Sequence, residues 1–312
     1  MKIFITGSSG FVGSHLLQRL LRREEDEVAI LLRNPGVPWR LDSIPALSNT
    51  HIIQGSLDEV NSYKDNLKYF SPDIIVNLAW DGVQGSNRNS NSQWDNVVNL
   101  LELIKIGHAC GVKKFIGFGS QGEYGNLNKK ISENDYERPT TLYGISKLSA
   151  CHLGKVVASQ LDIQFVWIRL FDPYGPKDGS TWFLPYIIKE LLEGRSPKIT
   201  KAEQLWDYIY IDDAIDAIVK IIDKDDIHGI FNLGSGQSIE LRKIIDTVKN
   251  LINPNLDIQF GAVSYREDQI MHLESNINKI SNEIEWTPSV EIDEGLKKTI
   301  DWFKSNLNSG PV

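Results

Sequence analysis

Ile3-Phe4-Ile5-Thr6-Gly7-Ser8-Ser9-Gly10-Phe11-Val12-Gly13 carries the chain from a short apolar run, through a glycine-punctuated turn, into a helical pattern that reaches Arg23. Gly7, Gly10 and Gly13 hold the first, fourth and seventh places of that turn. The first glycine permits a tight turn, the second lets a pyrophosphate approach the backbone, and the third lets helix and strand pack closely. The helix N-terminus behind them offers free N–H groups to an anion. Strand, glycine loop and helix in this order predict a phosphate-binding crossover, although the spacing is GxxGxxG and not the GxGxxG of the dinucleotide fingerprint.

The alternation continues outward from this stretch. Val28 to Leu32, His51 to Gln54, Ile74 to Leu78, Phe115 to Phe118 and Phe165 to Arg169 read as strands, while Asp58 to Phe70, Trp94 to Cys110 and Tyr143 to Gln160 read as amphipathic helices. Such alternation predicts βαβ units and an α/β fold with a Rossmann-type, doubly wound parallel sheet. Ile74-Ile75-Val76 lacks polar alternation, as a strand covered on both faces should. After about residue 170, Pro173, Gly175, Pro176, Gly179, Pro185, Gly194 and Pro197 break the rhythm and predict a smaller, discontinuous α/β lobe. The other irregular stretch is Trp80 to Gln93, rich in Asn, Ser and Gly. It follows the fourth strand at the carboxyl end, where open α/β sheets bind ligands, so it either borders a site or is a solvated loop.

Composition narrows the function classes. The 312 residues are enough for one large domain or two modest ones. With 33 Lys plus Arg against 41 Asp plus Glu, the net charge of -8 repels nucleic acid and anionic lipid, and no basic patch compensates. Neither a nucleic-acid partner nor a membrane is expected. Cys110 and Cys151 are too few for a disulfide framework and lie in apolar helical patterns, so they read as buried free thiols. The six histidines show no ligand spacing, and no metal is expected. No apolar stretch approaches membrane-spanning length and no leader pattern is evident, so the expected location is cytoplasmic.

Two constellations bear on chemistry. The second strand ends Leu31-Leu32-Arg33-Asn34, where an acid would bond the adenosine ribose of NAD. A guanidinium there suits the 2'-phosphate of NADP, so the reading favours NADP(H), with NAD(H) as the alternative and a merely solvated Arg33 left open. Tyr143 and Lys147 stand four apart on one helix face. An ammonium beside a phenol favours the phenolate, which makes the tyrosine usable as a general acid or base.

Together with Asn77-Leu78-Ala79, Gly117-Phe118-Gly119-Ser120, Tyr124-Gly125, Arg169 to Pro176, Asp207 to Asp213 and Phe231 to Gly236, these motifs resemble the extended short-chain dehydrogenase/reductase family of nucleotide-sugar epimerases, dehydratases and reductases. The resemblance implies an NAD(P)-binding domain of residues 1–172 and about 207–232, with a nucleotide-sugar lobe of about 173–206 and 233–312. It implies a Ser120-Tyr143-Lys147 triad, in which Ser120 donates to a sugar oxygen and Lys147 also binds the nicotinamide ribose. Cofactor contacts would extend to Gly7, Ser9, Gly10, Phe11, Val12, Gly13, Arg33, Leu57, Leu78, Ala79 and Pro173. Asn96 matches an asparagine that holds the catalytic helix, with an ordinary polar helix residue as the alternative. The helices at Trp94 to Cys110 and Tyr143 to Gln160 correspond to a dimer interface, unless burial in the monomer explains their apolar stripes.

Departures from the family pattern narrow the reaction. Dehydratases carry Asp-Glu after the serine; here Gln121-Gly122 follows, so dehydration is not expected, with Glu123 one place further on still open. Net reduction of a nucleotide-linked 4-keto-6-deoxy sugar at C4 remains, with an NAD-dependent 4-epimerase second and a non-catalytic NADP-binding module third. On the substrate side Asp172 replaces a usual Asn and Trp206 a usual Arg, so either Arg266 and Lys177 carry the diphosphate or the substrate sits differently, with Arg266 equally open to a surface ion pair beside Glu267 and Asp268. Gln121 and Tyr174 are further candidate sugar contacts.

Overall fold

The computed structural model describes residues 1–34 and 36–306. Seven strands, β1 (Lys2–Thr6), β2 (Glu27–Leu32), β3 (His51–Gln54), β4 (Ile74–Asn77), β5 (Lys114–Ser120), β6 (Gln164–Leu170) and β7 (Gly229–Leu233), form one sheet in the order β7-β6-β5-β4-β1-β2-β3. The pairs β1–β2, β1–β4, β2–β3, β4–β5 and β5–β6 are parallel. The order reverses between β1 and β4, the switch point at which doubly wound sheets open a crevice. Helices α1 (Phe11–Leu20), α2 (Val60–Phe70), α3 (Gln93–Ala109), α4 (Leu142–Gln160) and α5 (Ile211–Asp223) follow strands in the chain. Six of the strands and the first four helices lie where periodicity puts them. β7 is an addition: Phe231-Asn232-Leu233 is recognisable as a motif, but Asn232 interrupts its apolar run.

The strand burial matches the continuous apolar runs: β4 is buried throughout and β2 at every residue after Glu27. A core cluster under one face joins Phe4, Ile75, Leu103, Phe115, Cys151, Phe165 and Trp167. Both cysteines are buried and free. The chain divides into two compact units, residues 1–125, 133–170 and 215–232 in the first and 126–132, 171–214 and 233–312 in the second.

The second unit has a four-stranded sheet, Ile239–Glu240, Leu205–Trp206, His272–Ser275 and Lys129–Ile131 in that order. Its helices are Phe183–Leu192, Leu241–Ile252, Asn278–Ile284 and Ile292–Asn306. These strands are too short to hold by ladder bonds alone. The fully buried Asp207 carboxylate pins them, accepting from the N–H and hydroxyl of Ser235 at 2.8 and 2.6 Å and from those of Ser275 at 2.9 and 2.5 Å. Among the described residues no helix is long and apolar enough to cross a membrane, and no three His, Cys, Asp or Glu cluster to hold a metal.

Candidate active site

The glycine loop sits at the switch point. The Thr6 hydroxyl donates to Asn77 Oδ1 at 2.6 Å and accepts from the Ala79 N–H at 3.3 Å, which ties the carboxyl ends of β1 and β4 together. Gly7 has φ +73, and a Cβ there would lie 2.6 Å from the Ala79 nitrogen. A Cβ on Gly13 would collide with the Gly7 carbonyl, so α1 packs onto the turn itself. The N-cap of α1, Gly10, is exposed, makes no side-chain cap, and no acid occupies the first turn. Ser9, Phe11 and Val12 are half-buried around it. An uncapped helix end behind an open glycine fits a diphosphate. Leu78 and Ala79 are half-buried beside Gly7, and Leu57, after β3, packs against the core cluster. Arg33 directly follows β2, and its side chain is 67% exposed with Nη1 3.5 Å from Asp81.

At the carboxyl end of β5 the residues of the suggested triad meet. Ser120 is the last residue of the strand and the N-cap of the turn Gln121–Glu123, its Oγ accepting from the Gly122 N–H at 3.2 Å. Tyr143 and Lys147 lie in the first turns of α4, which Thr141 caps by accepting from Gly144 N–H at 3.1 Å. Lys147 is buried; its Nζ donates to the Phe118 carbonyl at 2.5 Å and stands 3.8 Å from the centroid of the Trp80 ring and 5.8 Å from that of Tyr143. Burial pushes the Lys147 ammonium down to about 7 from 10.5, with the Glu123 charge opposing the shift.

Glu123, left open by the sequence, is committed elsewhere. It is fully buried, and its carboxylate accepts from Arg169 Nε at 2.7 Å, Trp167 Nε1 at 3.1 Å and the Ser120 N–H at 2.9 Å. Arg169 also pairs with Glu137. The carboxylate braces the strand end under Ser120 and is not placed as a spare acid. Gln121, in the same turn, is half-buried.

The irregular stretch after β4 closes over this face. Gln93 is completely buried: its Oε1 accepts from Trp80 Nε1 at 2.8 Å, and its Nε2 donates to the carbonyls of Gly82 at 2.8 Å and Asn87 at 3.0 Å. Asn96 exchanges hydrogen bonds with the Asp81 backbone at 2.9 and 3.1 Å, so its amide holds this loop and not the catalytic helix that the family resemblance assigns to it. Asn89 Oδ1 accepts from the Leu142 N–H at 3.0 Å and docks the loop on the start of α4. Trp80 and Arg88 are thereby carried against Tyr143, at ring-centroid distances of 6.4 and 4.4 Å. Neither is among the residues that the sequence singles out. The only signal for them is the loop's place after the fourth strand.

In the second unit, the two substituted positions meet each other: Trp206 Nε1 donates to Asp172 Oδ2 at 2.6 Å. Pro173 and Tyr174 form a two-residue strand paired with Ile209–Tyr210. Tyr174 is 2% exposed, its hydroxyl donates to the Ile292 carbonyl at 3.3 Å, and its ring packs edge-on to Tyr208 and Tyr210. Burial, then Asp172 and Asp178, push the Tyr208 phenol well up. Tyr174, Trp206 and Tyr208 line a cleft with Ser235, Gln237 and Ile239. Arg266 does not line it; it is 75% exposed with Nε 3.6 Å from Asp268.

The geometry invites comparison with known proteins. A family model described as "NAD dependent epimerase/dehydratase family" matches residues 3–234. CDP-abequose synthase of Salmonella muenchen is 30% identical, over 96% of this chain and 97% of its own length. The dTDP-4-dehydro-6-deoxyglucose reductase of Escherichia coli is 26% identical, over 96% of each chain. Among solved structures, UDP-glucuronic acid 4-epimerase from Bacillus cereus in complex with UDP-glucuronic acid and NAD superposes with a TM-score of 0.84 at 25% identity, covering 98% of this chain and 99% of that one. The seven-stranded sheet and the match across most of the chain agree: this chain belongs to the NAD dependent epimerase/dehydratase family, among the extended short-chain dehydrogenases/reductases.

Proposed function

We propose that this chain is an NADP(H)-dependent reductase of a nucleotide-diphosphate sugar, acting on a 4-keto-6-deoxy sugar at C4. The observation that carries the reading is the grouping of Ser120, Tyr143 and Lys147 at the end of β5, with Glu123 buried against Arg169 and withheld from the acid–base chemistry a dehydratase needs. The relatives named as a CDP-abequose synthase and as a 4-dehydro-6-deoxyglucose reductase support it.

The glycine loop and the uncapped end of α1 would hold the cofactor diphosphate, with Leu57, Leu78, Ala79 and Pro173 as further contacts. When bound, the reduced nicotinamide supplies a hydride to C4. Tyr143 donates its phenolic proton to the C4 oxygen as charge develops there, and Ser120 donates a hydrogen bond to the same oxygen. Lys147, oriented by the Phe118 carbonyl, favours the phenolate that results and would help hold the cofactor through its nicotinamide ribose. Solvent then returns the proton to Tyr143. Gln121 and the Asp172–Trp206 pair would contact the sugar nucleotide, while Arg266, exposed and paired, would have to leave Asp268 to reach a diphosphate.

Arg33 supports NADP(H) over NAD(H), because it lies immediately past β2 and a 2'-phosphate would replace Asp81 as its partner. A second reading, a 4-epimerase with retained NAD, draws on the UDP-glucuronic acid 4-epimerase neighbour with NAD. Two copies are proposed to pair through α3 and α4, because Trp94, Val98, Ile145, Leu153 and Val156 are exposed and burial in the monomer does not account for them. Sedimentation of wild type and a Val98→Glu, Val156→Glu double variant tests this: a dimer reduced to monomer supports it, and a monomeric wild type rejects it.

The test of the reaction is a panel of CDP-, dTDP-, GDP- and UDP-linked 4-keto-6-deoxy sugars with NADPH. One of them should consume NADPH in proportion to sugar, and Arg33→Ala should raise the KM for NADPH while sparing NADH. Purified protein carrying one tightly held NAD, and consuming no NADPH, would instead favour the epimerase.

A further inference from the structure

Arg88 is half-buried, and its guanidinium stands 4.4 Å from the centroid of the Tyr143 ring. A methyl placed on Gly122 would lie 3.3 Å from Arg88 Nη2, 3.6 Å from Ser120 Oγ and 3.7 Å from Tyr143 Cδ1, so one point on the turn after β5 is within van der Waals reach of all three side chains. We infer that Arg88 is a substrate-binding residue of this site, its guanidinium donating hydrogen bonds to sugar oxygens next to the one addressed by Ser120 and Tyr143. The inference rests on the proposed reading of Tyr143 as the proton donor.

Three observations separate this from a surface arginine resting on an aromatic ring. The backbone on either side is anchored: Gln93, itself buried, donates to the Asn87 carbonyl at 3.0 Å, and Asn89 accepts from the Leu142 N–H at 3.0 Å. Arg88 is therefore held between two fixed neighbours against the start of α4. Second, Arg88 makes no ion pair among the described residues; Arg22, Arg138 and Arg242 make none either, but they are exposed where Arg88 is half-buried. Third, the contact with the Tyr143 ring uses the π face and not the N–H groups of the guanidinium as hydrogen-bond donors to an oxygen, so they stay available to other acceptors. Hydroxyl and carbonyl oxygens of a sugar lying against Tyr143 are acceptors of the right kind. The position beside the proton donor points to the sugar and not to the diphosphate.

Arg88→Met and Arg88→Lys test this, using the panel sugar that wild type reduces fastest. Losing hydrogen bonds from a charged donor should lower kcat/KM by about 10- to 100-fold in Arg88→Met, with partial recovery in Arg88→Lys. Calorimetric titration with the oxidised cofactor present should show weaker binding of the nucleotide sugar and unchanged binding of the matching nucleoside diphosphate and of NADPH. Equal weakening of the nucleoside diphosphate would make Arg88 a phosphate clamp and overturn the inference. So would an unchanged kcat/KM, or a loss of thermal stability in both variants that tracks the loss of activity. Tyr143→Phe separates the two levels. If it keeps full turnover, the reading of the site falls; the binding titrations of the Arg88 variants still report on Arg88 by themselves.

Discussion

The two ends of β5 carry the same chemistry put to opposite uses. Lys114 opens the strand and Lys147 docks on its far end, and both are 4% exposed. Burial lowers the basicity of each ammonium, opposed by Asp225 and Asp223 at Lys114 and by Glu123 at Lys147. Lys114 has all its donors spent, its Nζ donating to the carbonyls of Ile221, Ile222 and Lys224 at 3.3, 3.0 and 2.5 Å, where it caps the end of α5. Lys147 spends one on the Phe118 carbonyl and faces the Trp80 ring with the rest. A satisfied buried lysine is a structural bolt. One with donors to spare, beside a tyrosine, is set up to meet a ligand, and its cost to stability is the kind that binding sites retain.

This contrast can be broken by substitution. The largest effect should be on activity: Lys147→Met is expected to lower kcat/KM by about 10²- to 10⁴-fold, the span of general acid–base assistance, with no loss of thermal stability. Lys114→Met should leave kcat/KM within about 2-fold of wild type, since hydrogen bonds lost at the opposite strand end do not reach Ser120. If the two variants changed activity alike, the contrast would fail.

Next comes the brace under Ser120. Glu123→Gln removes one partner of a fully buried ion pair and leaves Arg169 only the half-buried Glu137 to offset its charge, at a cost of up to about 3–5 kcal/mol in urea unfolding. A change below about 1 kcal/mol would mean that Glu123 is not the brace described. Lys114→Met should cost about 1–3 kcal/mol in the same assay, because three carbonyls lose their donor.

The smallest effect is in pH dependence. The folded-state value for Lys147, about 7, lies below the ordinary 10.5, so between those values the unfolded chain binds more protons at this residue than the folded one. The penalty of burying Lys147 is full below about pH 7 and fades as pH rises toward 10.5, so its contribution to stability improves with pH. Lys147→Met should flatten that part of the rise, and an identical slope in wild type and variant would contradict the assignment.

Periodicity sufficed for the first six strands and four helices because apolar runs and amphipathic segments alternate there along the chain. It failed where contacts come from far along the chain. Lys129–Ile131 pairs with His272–Ser275, a partner more than a hundred residues away, and nothing in Lys-Lys-Ile foretells a strand. The glycine loop and the Tyr143–Lys147 pair stood out because their spacing falls within one turn or one helix, whereas Ser120 was reached only through the family resemblance. Glu123 was readable only as a residue near a serine, since its commitment depends on Trp167 and Arg169 from the next strand. Arg88 and Gln93 were hidden in a stretch whose Asn, Ser and Gly look solvated, yet one buried amide organises it. Trp206 and Asp172 were each visible as departures, but only the fold joins them in one hydrogen bond.

The central claim, net reduction at C4, is tested most directly by isotope. NADPH carrying deuterium at the transferable position of its nicotinamide would be incubated with the panel sugar that consumes it, and the product analysed by mass spectrometry and NMR. Net reduction should place one deuterium at C4 of a new alcohol, with one cofactor oxidised per sugar, and no label transfer in Tyr143→Phe. A product inverted at C4 without label, formed with no net oxidation of cofactor, would contradict it.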